Sequence, residues 1–211
     1  MKALGMIEVY SFTTAVAAAD VAAKAADVKV IAFDRTRPGS ADVPAPLVIE
    51  IKIEGMVSAV QSAVEAAAEY AKSEGKYIVS SVIANPGEDT EKLAYLLDMN
   101  KDKYNKKLPK TMKGVEAVGT TGEAFGLIEI DGLVAAIEGL DTMLKTAQIR
   151  LVHTEKRLGG RLVTWVVAGS VSAIKAAVES GIEAAAPLGK VYGHVVIPSP
   201  HEEIVKFFDM D

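Results

Sequence analysis

Histidines are the residues of this chain best suited to acid–base catalysis or metal binding, and the sequence has three of them: His153, His194 and His201. His194 alternates with apolar neighbours in a predicted strand, and neither His153 nor His201 has a partner at the spacing of a metal-binding motif. The chain contains no cysteine, which excludes disulfides, thiolate catalysis and cysteine-bound zinc or iron–sulfur clusters. We therefore predict no metal site and no cofactor.

Two glutamates, Glu8 and Glu129, are the other residues with potential for chemistry. Each closes the same short apolar segment, ALGMIE at residues 3–8 and AFGLIE at residues 124–129. Paired carboxylates can act as general acid and base. A glutamate that recurs with its whole segment is better explained by a structural role in both copies, such as supporting the N-terminus of the following helix. With no nucleotide-binding glycine motif and no nucleophile elbow either, we predict no catalytic residues and no enzyme.

These two segments belong to a long internal repeat. Matching residues of the two copies lie 121 positions apart, as do Asp20 and Asp141, and Lys24 and Lys145. The first copy then has a connection seven residues longer, after which the offset is 114, as in GMVSAV at residues 55–60 and GSVSAI at residues 169–174. Two homologous units result, each of roughly 90 residues.

Each copy predicts the same order of elements. In the first copy an apolar strand at residues 3–9 leads into an alanine-rich helix at residues 13–26. Two β-branched strands, a second helix with apolar residues at helical spacing, a further strand and a short terminal helix follow. Gly75 and Gly189 are expected to end the second helices in the left-handed conformation. The order βαββαβ plus a helix predicts an α+β, sandwich-like fold of two tandem ferredoxin-like domains.

The segment between the copies is polar, lysine-rich and contains Pro109, which predicts a linker. We divide the chain into a first domain at residues 1–97, a linker at residues 98–122 and a second domain at residues 123–211. The lysines of the linker favour a solvated tether, with a basic contact patch as the alternative.

Composition restricts the partners. The 211 residues are 50% hydrophobic and 24% charged, as in folded proteins, and the net charge is −5. Without a large basic surplus we expect no nucleic-acid partner. No apolar run approaches the roughly 20 residues that span a bilayer, so we expect no lipid-membrane partner. Glu8 lies too early for a signal peptide, so we expect a soluble cytosolic protein.

The repeated segments, the pairs Asp20/Lys24 and Asp141/Lys145, the closing PSPH at residues 198–201 and RLGGRLVT at residues 157–164 together resemble the bacterial microcompartment shell proteins. The similarity is to the tandem-domain class in unpermuted order, and it covers nearly the whole chain apart from the linker. It implies a structural protein rather than an enzyme. It also implies a homotrimer whose six domains form a pseudo-hexagonal tile, joined edge to edge with other shell proteins in the cytoplasm around metabolic enzymes.

The resemblance further implies a central pore for small metabolites, lined by two segments. The implied pore-lining residues are Arg35, Thr36, Arg37, Pro38, Gly39, Ser40, Arg157, Leu158, Gly159, Gly160 and Arg161. Glycines there let backbone N–H groups approach a solute. Four arginines repeated by three chains would favour anions, unless they pair with Asp34, Asp42 or Glu155. The prolines Pro38, Pro44 and Pro46 favour a fixed plug over a mobile gate.

At the tile edge the resemblance implies Lys24, Lys145 and His201. The alternative for the lysines is that they complement the helix dipole at the ends of their helices. The family often has an arginine where this chain has Ser199, and a serine lacks the planar multi-donor group, which affects tiling geometry or partner choice.

A second interpretation of the same repeat is a regulatory module. Tandem ferredoxin-like domains also bind small molecules at subunit clefts, and such a module would bind its ligand stoichiometrically without forming sheets.

Overall fold

The computed structural model describes residues 2–38, 40, 42–87, 90, 94, 99, 122–155 and 161–209, except for the side chain of Asp209. The chain divides into two compact units, Met1–Lys107 and Leu108–Asp211, called here the first and the second unit. Among these described residues, no helix is long and apolar enough to cross a membrane.

The first unit has the element order that the repeat predicts. Its elements are β1 (Ala3–Tyr10), α1 (Phe12–Ala25), β2 (Val28–Thr36), β3 (Val48–Gly55), α2 (Val57–Ser73) and β4 (Tyr77–Ile83). The strands form an antiparallel sheet in the order β2-β3-β1-β4. This is the strand order of a ferredoxin-like layer, with the sequence-adjacent strands β1 and β2 separated by β3.

The second unit repeats this arrangement, and its described residues continue into a terminal helix; the equivalent segment of the first unit lies largely outside the described residues. Its elements are β5 (Ala124–Asp131), α3 (Leu133–Thr146), β6 (Ile149–Glu155), β7 (Leu162–Gly169), α4 (Val171–Ala185), β8 (Val191–Ile197) and α5 (Glu202–Asp209). The antiparallel sheet order is β6-β7-β5-β8. The predicted α+β fold of two tandem ferredoxin-like domains is confirmed.

Irregularities of the sheets are repeated as well. The pairing of β1 with β4 shifts between Glu8 and Val9, and the pairing of β5 with β8 shifts at the equivalent place, between Glu129 and Ile130. A second bulge in β2 is matched in the same way by one in β6, just before His153. The duplication therefore preserves backbone geometry as well as strand order.

In each unit the two long helices cover one face of the sheet. In β5, Ile128 and Ile130 belong to the core beneath α3 and α4, so Phe125 and Glu129 lie on the other side of the sheet, called here the outer face. Gly126 permits close packing of α4, because a Cβ at that position would lie 2.7 Å from Ile174. Both sheets thus have a dry face under the helices and an outer face.

One of the two predicted helix-stop glycines follows its prediction and the other does not. Gly75 has φ +65°, so it ends α2 in the left-handed conformation as expected. The prediction is wrong for Gly189, which has no positive φ. At Gly189 a Cβ would lie 2.0 Å from the carbonyl oxygen of Asp131, so glycine is needed there because the backbone of β5 passes too close for any side chain.

Of the predicted linker, the structure describes Met99 and Gly122. The Met99 N–H donates to the carbonyl of Phe33 at 2.7 Å, and Met99 is buried, so this residue packs with the first unit. The rest of the linker lies outside the described residues, and the domain boundaries stay predictions.

Candidate functional site

The first predicted pore segment begins at the end of β2. Arg35 and Thr36 are the last two residues of that strand, and the Arg35 backbone N–H donates to the Asp34 carboxylate at 2.8 Å. Thr36, Arg37 and Ser40 are exposed and Pro38 is half-buried. Gly39 lies outside the described residues. The arginine side chain with the greatest access to solvent in this segment is therefore Arg37.

The return of this connection to the sheet is anchored. Ala45 and Leu47 are buried, and the Leu47 carbonyl accepts a 3.0 Å hydrogen bond from the N–H of Ser11, the residue before α1. Ser11 has φ +77°, a conformation that costs a non-glycine residue free energy. This contact fixes where the connection rejoins the sheet, and the choice between a fixed plug and a mobile gate stays a prediction.

The second predicted pore segment is described only at its last residue. Arg157, Leu158, Gly159 and Gly160 lie outside the described residues. Arg161 is exposed, and its Nε lies 3.7 Å from Oδ1 of Asp131, a partner that the sequence analysis did not consider.

The backbone of Arg161 repeats the anchor of the first unit. Its carbonyl accepts from the N–H of Gly132 at 2.8 Å, as the Leu47 carbonyl accepts from Ser11. Gly132 has φ +96°, and a Cβ there would lie 2.8 Å from Nη2 of Arg161. The two connections therefore rejoin their sheets through the same contact, beside the start of the first helix of each unit.

The predicted edge lysines lie at the ends of equivalent helices. Lys24 in α1 donates a hydrogen bond of 2.5 Å to Asp20, and Lys145 in α3 donates one of 2.5 Å to Asp141. The two residues of each pair are one helical turn apart. The hydrogen bond from Lys145 to Asp141 raises the pKa of that lysine. The two pairs differ in environment, because the Asp20 side chain is 6% exposed and that of Asp141 is 51% exposed.

The third predicted edge residue, His201, precedes α5. Its Nδ1 accepts a hydrogen bond of 3.3 Å from the backbone N–H of Glu203, and its carbonyl accepts from Ile204 at 2.9 Å. His201 thus caps the N-terminus of this helix. The role of Lys24, Lys145 and His201 at a tile edge stays a prediction.

Support of the following helix N-terminus, the example given for a structural role of Glu8 and Glu129, is wrong. Both residues lie on the outer face of their sheets, because neighbouring residues of a strand point to opposite sides. A Cβ at Gly5 would meet Val60 and Val64 of α2, so Glu8, three residues on, points away from the helices, as Glu129 does beside Ile128 and Ile130. Neither helix that follows has a side-chain cap or an acidic residue in its first turn.

In the first unit, Glu8 belongs to a row of carboxylates across three strands. Glu50 stands opposite Glu8 on β1 and opposite Asp34 on β2. The buried Lys52 lies beside the row, with its Nζ 3.5 Å from Glu50 and 3.9 Å from Asp34. Burial raises the pKa of Glu50, Glu8 and Asp34 raise it further, and Lys52 opposes them. Sequence reasoning missed this row, which depends on strand register.

The second unit keeps the row in altered form. Thr164 stands between Glu129 and Glu155, and all three are fully buried or nearly so. Next to it, Nε2 of His153 lies 3.6 Å from Oε2 of Glu155. Within the described ranges, no three histidine, aspartate or glutamate side chains are arranged to hold a metal ion. The only sequence signal for the His153 contact was two polar residues at alternating positions of one strand.

Comparison with known proteins assigns both units to the same family. The BMC domain matches residues 3–86 and again residues 124–200. The bacterial microcompartment shell protein PduA from Citrobacter freundii is 48% identical over 84 residues, which cover 40% of this chain and 89% of PduA. The carboxysome assembly protein CcmO from Synechococcus elongatus is 30% identical over 203 residues, which cover 96% of this chain and 67% of CcmO.

Among solved structures, a microcompartment protein from Desulfitobacterium hafniense DCB matches with 25% identity, covering 98% of this chain and 99% of its own, at a TM-score of 0.39. A TM-score this low supports no geometric argument, and the assignment depends on the two domain matches and on the full-length similarity to CcmO. On those two grounds, the chain belongs to the BMC-domain family of microcompartment shell proteins and carries the domain twice.

Proposed function

We propose that this protein is a structural tile of a microcompartment shell: a homotrimer whose six BMC domains form a pseudo-hexagonal disc, joined edge to edge with other shell proteins in the cytoplasm. The observation that carries the proposal is the tandem BMC domain in a chain whose relatives are named shell and carboxysome assembly proteins. A heterologous interface closes into a ring when the rotation is right, so three chains with duplicated domains can complete a six-position ring.

An exposed apolar face on α3 supports association between chains. Leu133, Val134 and Ile137 lie on one side of this helix and are all more than half exposed, with Val134 at 73%. The equivalent residues of α1 are Phe12, Thr13 and Val16, and all three are buried. Large exposed apolar patches mark protein interfaces, so the α3 face supports contact with another chain.

The trimer is tested by solution mass. We expect multi-angle light scattering to give three times the chain mass for wild type and one chain mass for Val134→Asp/Ile137→Asp, because two buried carboxylates would break the contact. Val79→Asp, at another exposed apolar position, is the matched control and should remain trimeric. A monomeric wild type, or an unaffected double variant, contradicts the proposed interface.

Tile formation is tested by negative-stain electron microscopy at rising protein concentration. Flat discs with a six-fold outline that join into sheets or strips support the shell role. Compact particles that lack this outline and bind a small molecule stoichiometrically support a regulatory module instead.

We further propose that the trimer axis is a pore that favours small anions. Among the described residues of the two pore segments, the positive charges are those of Arg35, Arg37 and Arg161. A ring of arginines attracts anions. In single-channel recordings we expect anions to permeate more than cations, with the preference reduced in Arg37→Gln/Arg161→Gln. Arg150→Gln is the matched control, because Arg150 is paired with Glu123. A wild-type channel that passes anions no better than cations would contradict the proposal.

A further inference from the structure

The outer face of the first unit contains a cavity formed by β1, β3 and β4. Its volume is about 160 Å³, which is room for several water molecules or one small organic molecule. The cavity opens to solvent along β4, the edge strand of the sheet, where Val79 and Ser81 are exposed. The residues that line it are Met6, Glu8, Glu50, Val79, Ser80 and Ser81. All six lie in the first unit, so the cavity belongs to that unit by itself.

Two of the lining residues are acidic and none is basic. Glu8 and Glu50 stand directly opposite each other on neighbouring strands, a position in which like charges repel. Nζ of Lys52 lies 3.5 Å from Glu50, but Lys52 does not line the cavity and is shared with Asp34. Glu8 forms no ion pair with any residue in the described ranges. The cavity therefore offers a cation two carboxylates, one of which has no other charged partner there.

The remaining groups of the cavity suit an organic cation. Met6 and Val79 form an apolar wall, and Ser81, which stands opposite Met6, adds a hydroxyl group. The hydroxyl of Ser80 is already hydrogen-bonded to Oη of Tyr77 at 3.0 Å. An ammonium group donates three hydrogen bonds, which two carboxylates and one hydroxyl can accept, and its alkyl carbons can contact the apolar wall. A bare metal ion would gain nothing from that wall.

The equivalent positions of the second unit have different chemistry. Thr164 replaces Glu50, so the facing pair of carboxylates is lost. Val195 replaces Ser81, so the hydroxyl at the edge strand is lost too. The carboxylate that the second unit retains, Glu129, is fully buried, as is Thr164. Two facing carboxylates beside an open edge are therefore a feature of the first unit.

We propose that this cavity binds a small organic ammonium ion, with its ammonium group between the carboxylates of Glu8 and Glu50 and its alkyl part against Met6 and Val79. Charge-assisted hydrogen bonds to two carboxylates select a cation over a neutral molecule of the same shape. The site goes beyond the proposed shell role and is tested separately from it, because the proposed contact between chains lies on α3 of the second unit.

The test is a titration of the full-length protein with propylammonium chloride, followed by saturation-transfer NMR of the ligand. About 150 mM NaCl screens the general attraction of cations to a chain with a net charge of −5. We expect a dissociation constant on the order of 1 mM, which is reasonable for so small a ligand. Propan-1-ol has a similar shape and no charge, and it should bind at least about tenfold more weakly.

Two variants each remove one carboxylate. Glu8→Gln and Glu50→Gln keep the size of the side chain, and each should raise the dissociation constant of propylammonium at least about tenfold. Glu65→Gln is the matched control. It makes the same change of charge at an exposed position of α2, which packs on the other side of the sheet, and it should bind propylammonium as wild type does.

Val79→Arg tests the site with both carboxylates in place. It puts a guanidinium opposite Glu8 on the neighbouring strand, where opposite charges attract, so it should fold and should abolish binding by occupying the cavity. Three outcomes overturn the proposal: propan-1-ol that binds as tightly as propylammonium, an unchanged dissociation constant in both glutamine variants, or undiminished binding by Val79→Arg. Displacement of propylammonium by about 1 mM CaCl2 also overturns it, since the cavity would then be a metal site.

Discussion

At the scale of single residues, Gly75 and Gly189 occupy equivalent positions for different reasons. The first needs a positive φ and has no atom within 4 Å of where a Cβ would stand. The second has an ordinary backbone and needs the space that a Cβ would take from Asp131.

This difference predicts opposite tolerance to substitution. Gly75→Asn should cost at most about 1 kcal/mol of the free energy of unfolding, because asparagine accepts the left-handed conformation better than other residues. Gly189→Asn should cost more than about 3 kcal/mol, because the backbone of β5 must move. Urea denaturation of both variants measures this, and similar losses at the two positions would contradict the assignment.

At the scale of elements, the helix pairs of the two units cross through different residues. In the second unit Gly139 and Gly181 meet, and a Cβ at Gly181 would lie 2.5 Å from Cγ of Met143. In the first unit the equivalents of Gly181 and Met143 are Ala67 and Ala22, both buried. The same volume is thus filled by a glycine with a methionine in one pair and by two alanines in the other.

A double-mutant cycle tests this compensation. Gly181→Ala should destabilise by about 1–3 kcal/mol through overpacking, and Met143→Ala by about 2–5 kcal/mol through a cavity. Combined, they recreate the alanine pair of the first unit, so the double variant should lose at least about 1 kcal/mol less than the sum. Additive losses in urea denaturation would show that Met143 is not what excludes a side chain at Gly181.

The carboxylate row across β1, β2 and β3 carries a prediction for stability against pH. The pKa of Glu50 is raised in the folded state, so this residue favours folding below its unfolded pKa and opposes it once the pH rises through the folded value. Glu50→Gln should therefore be more favourable for stability at pH 7 than near pH 3.5, because glutamine carries no charge into the folded state. Thermal unfolding at the two pH values measures it, and a gain that is equal at both would exclude ionisation as the cause.

The sequence predicted the order of helices and strands better than it predicted the contacts between them. Hydrophobic periodicity and the repeat predicted the βαββαβ order, because each element shows its pattern within a short window. The role of Glu8 and the cavity beside it depend on which strands pair and in which register. Local patterns do not contain that information.

At the scale of the whole molecule, net charge opposes the association of tiles. Each chain carries −5, so a proposed trimer is strongly acidic and two discs repel each other in dilute buffer. We expect light scattering to show more sheet formation as NaCl rises from about 20 mM to about 150 mM. The added salt shortens the distance over which the charges of two discs repel each other to about 8 Å. A decrease over this range would mean that ion pairs at the edges, such as those of Lys24 or Lys145, outweigh the net repulsion.

The matched bulges of the two sheets have a practical consequence. A bulge fixes where a strand bends and which side chains point to each face, and bulges recur at the same places in β4 and β8 and in β2 and β6. The bulged strands of the two copies therefore have the same backbone shape, although their side chains differ. We expect that a bulged strand can be transplanted from one half of the chain into the other with its backbone shape kept, so one half can be given a new surface while the other keeps the original.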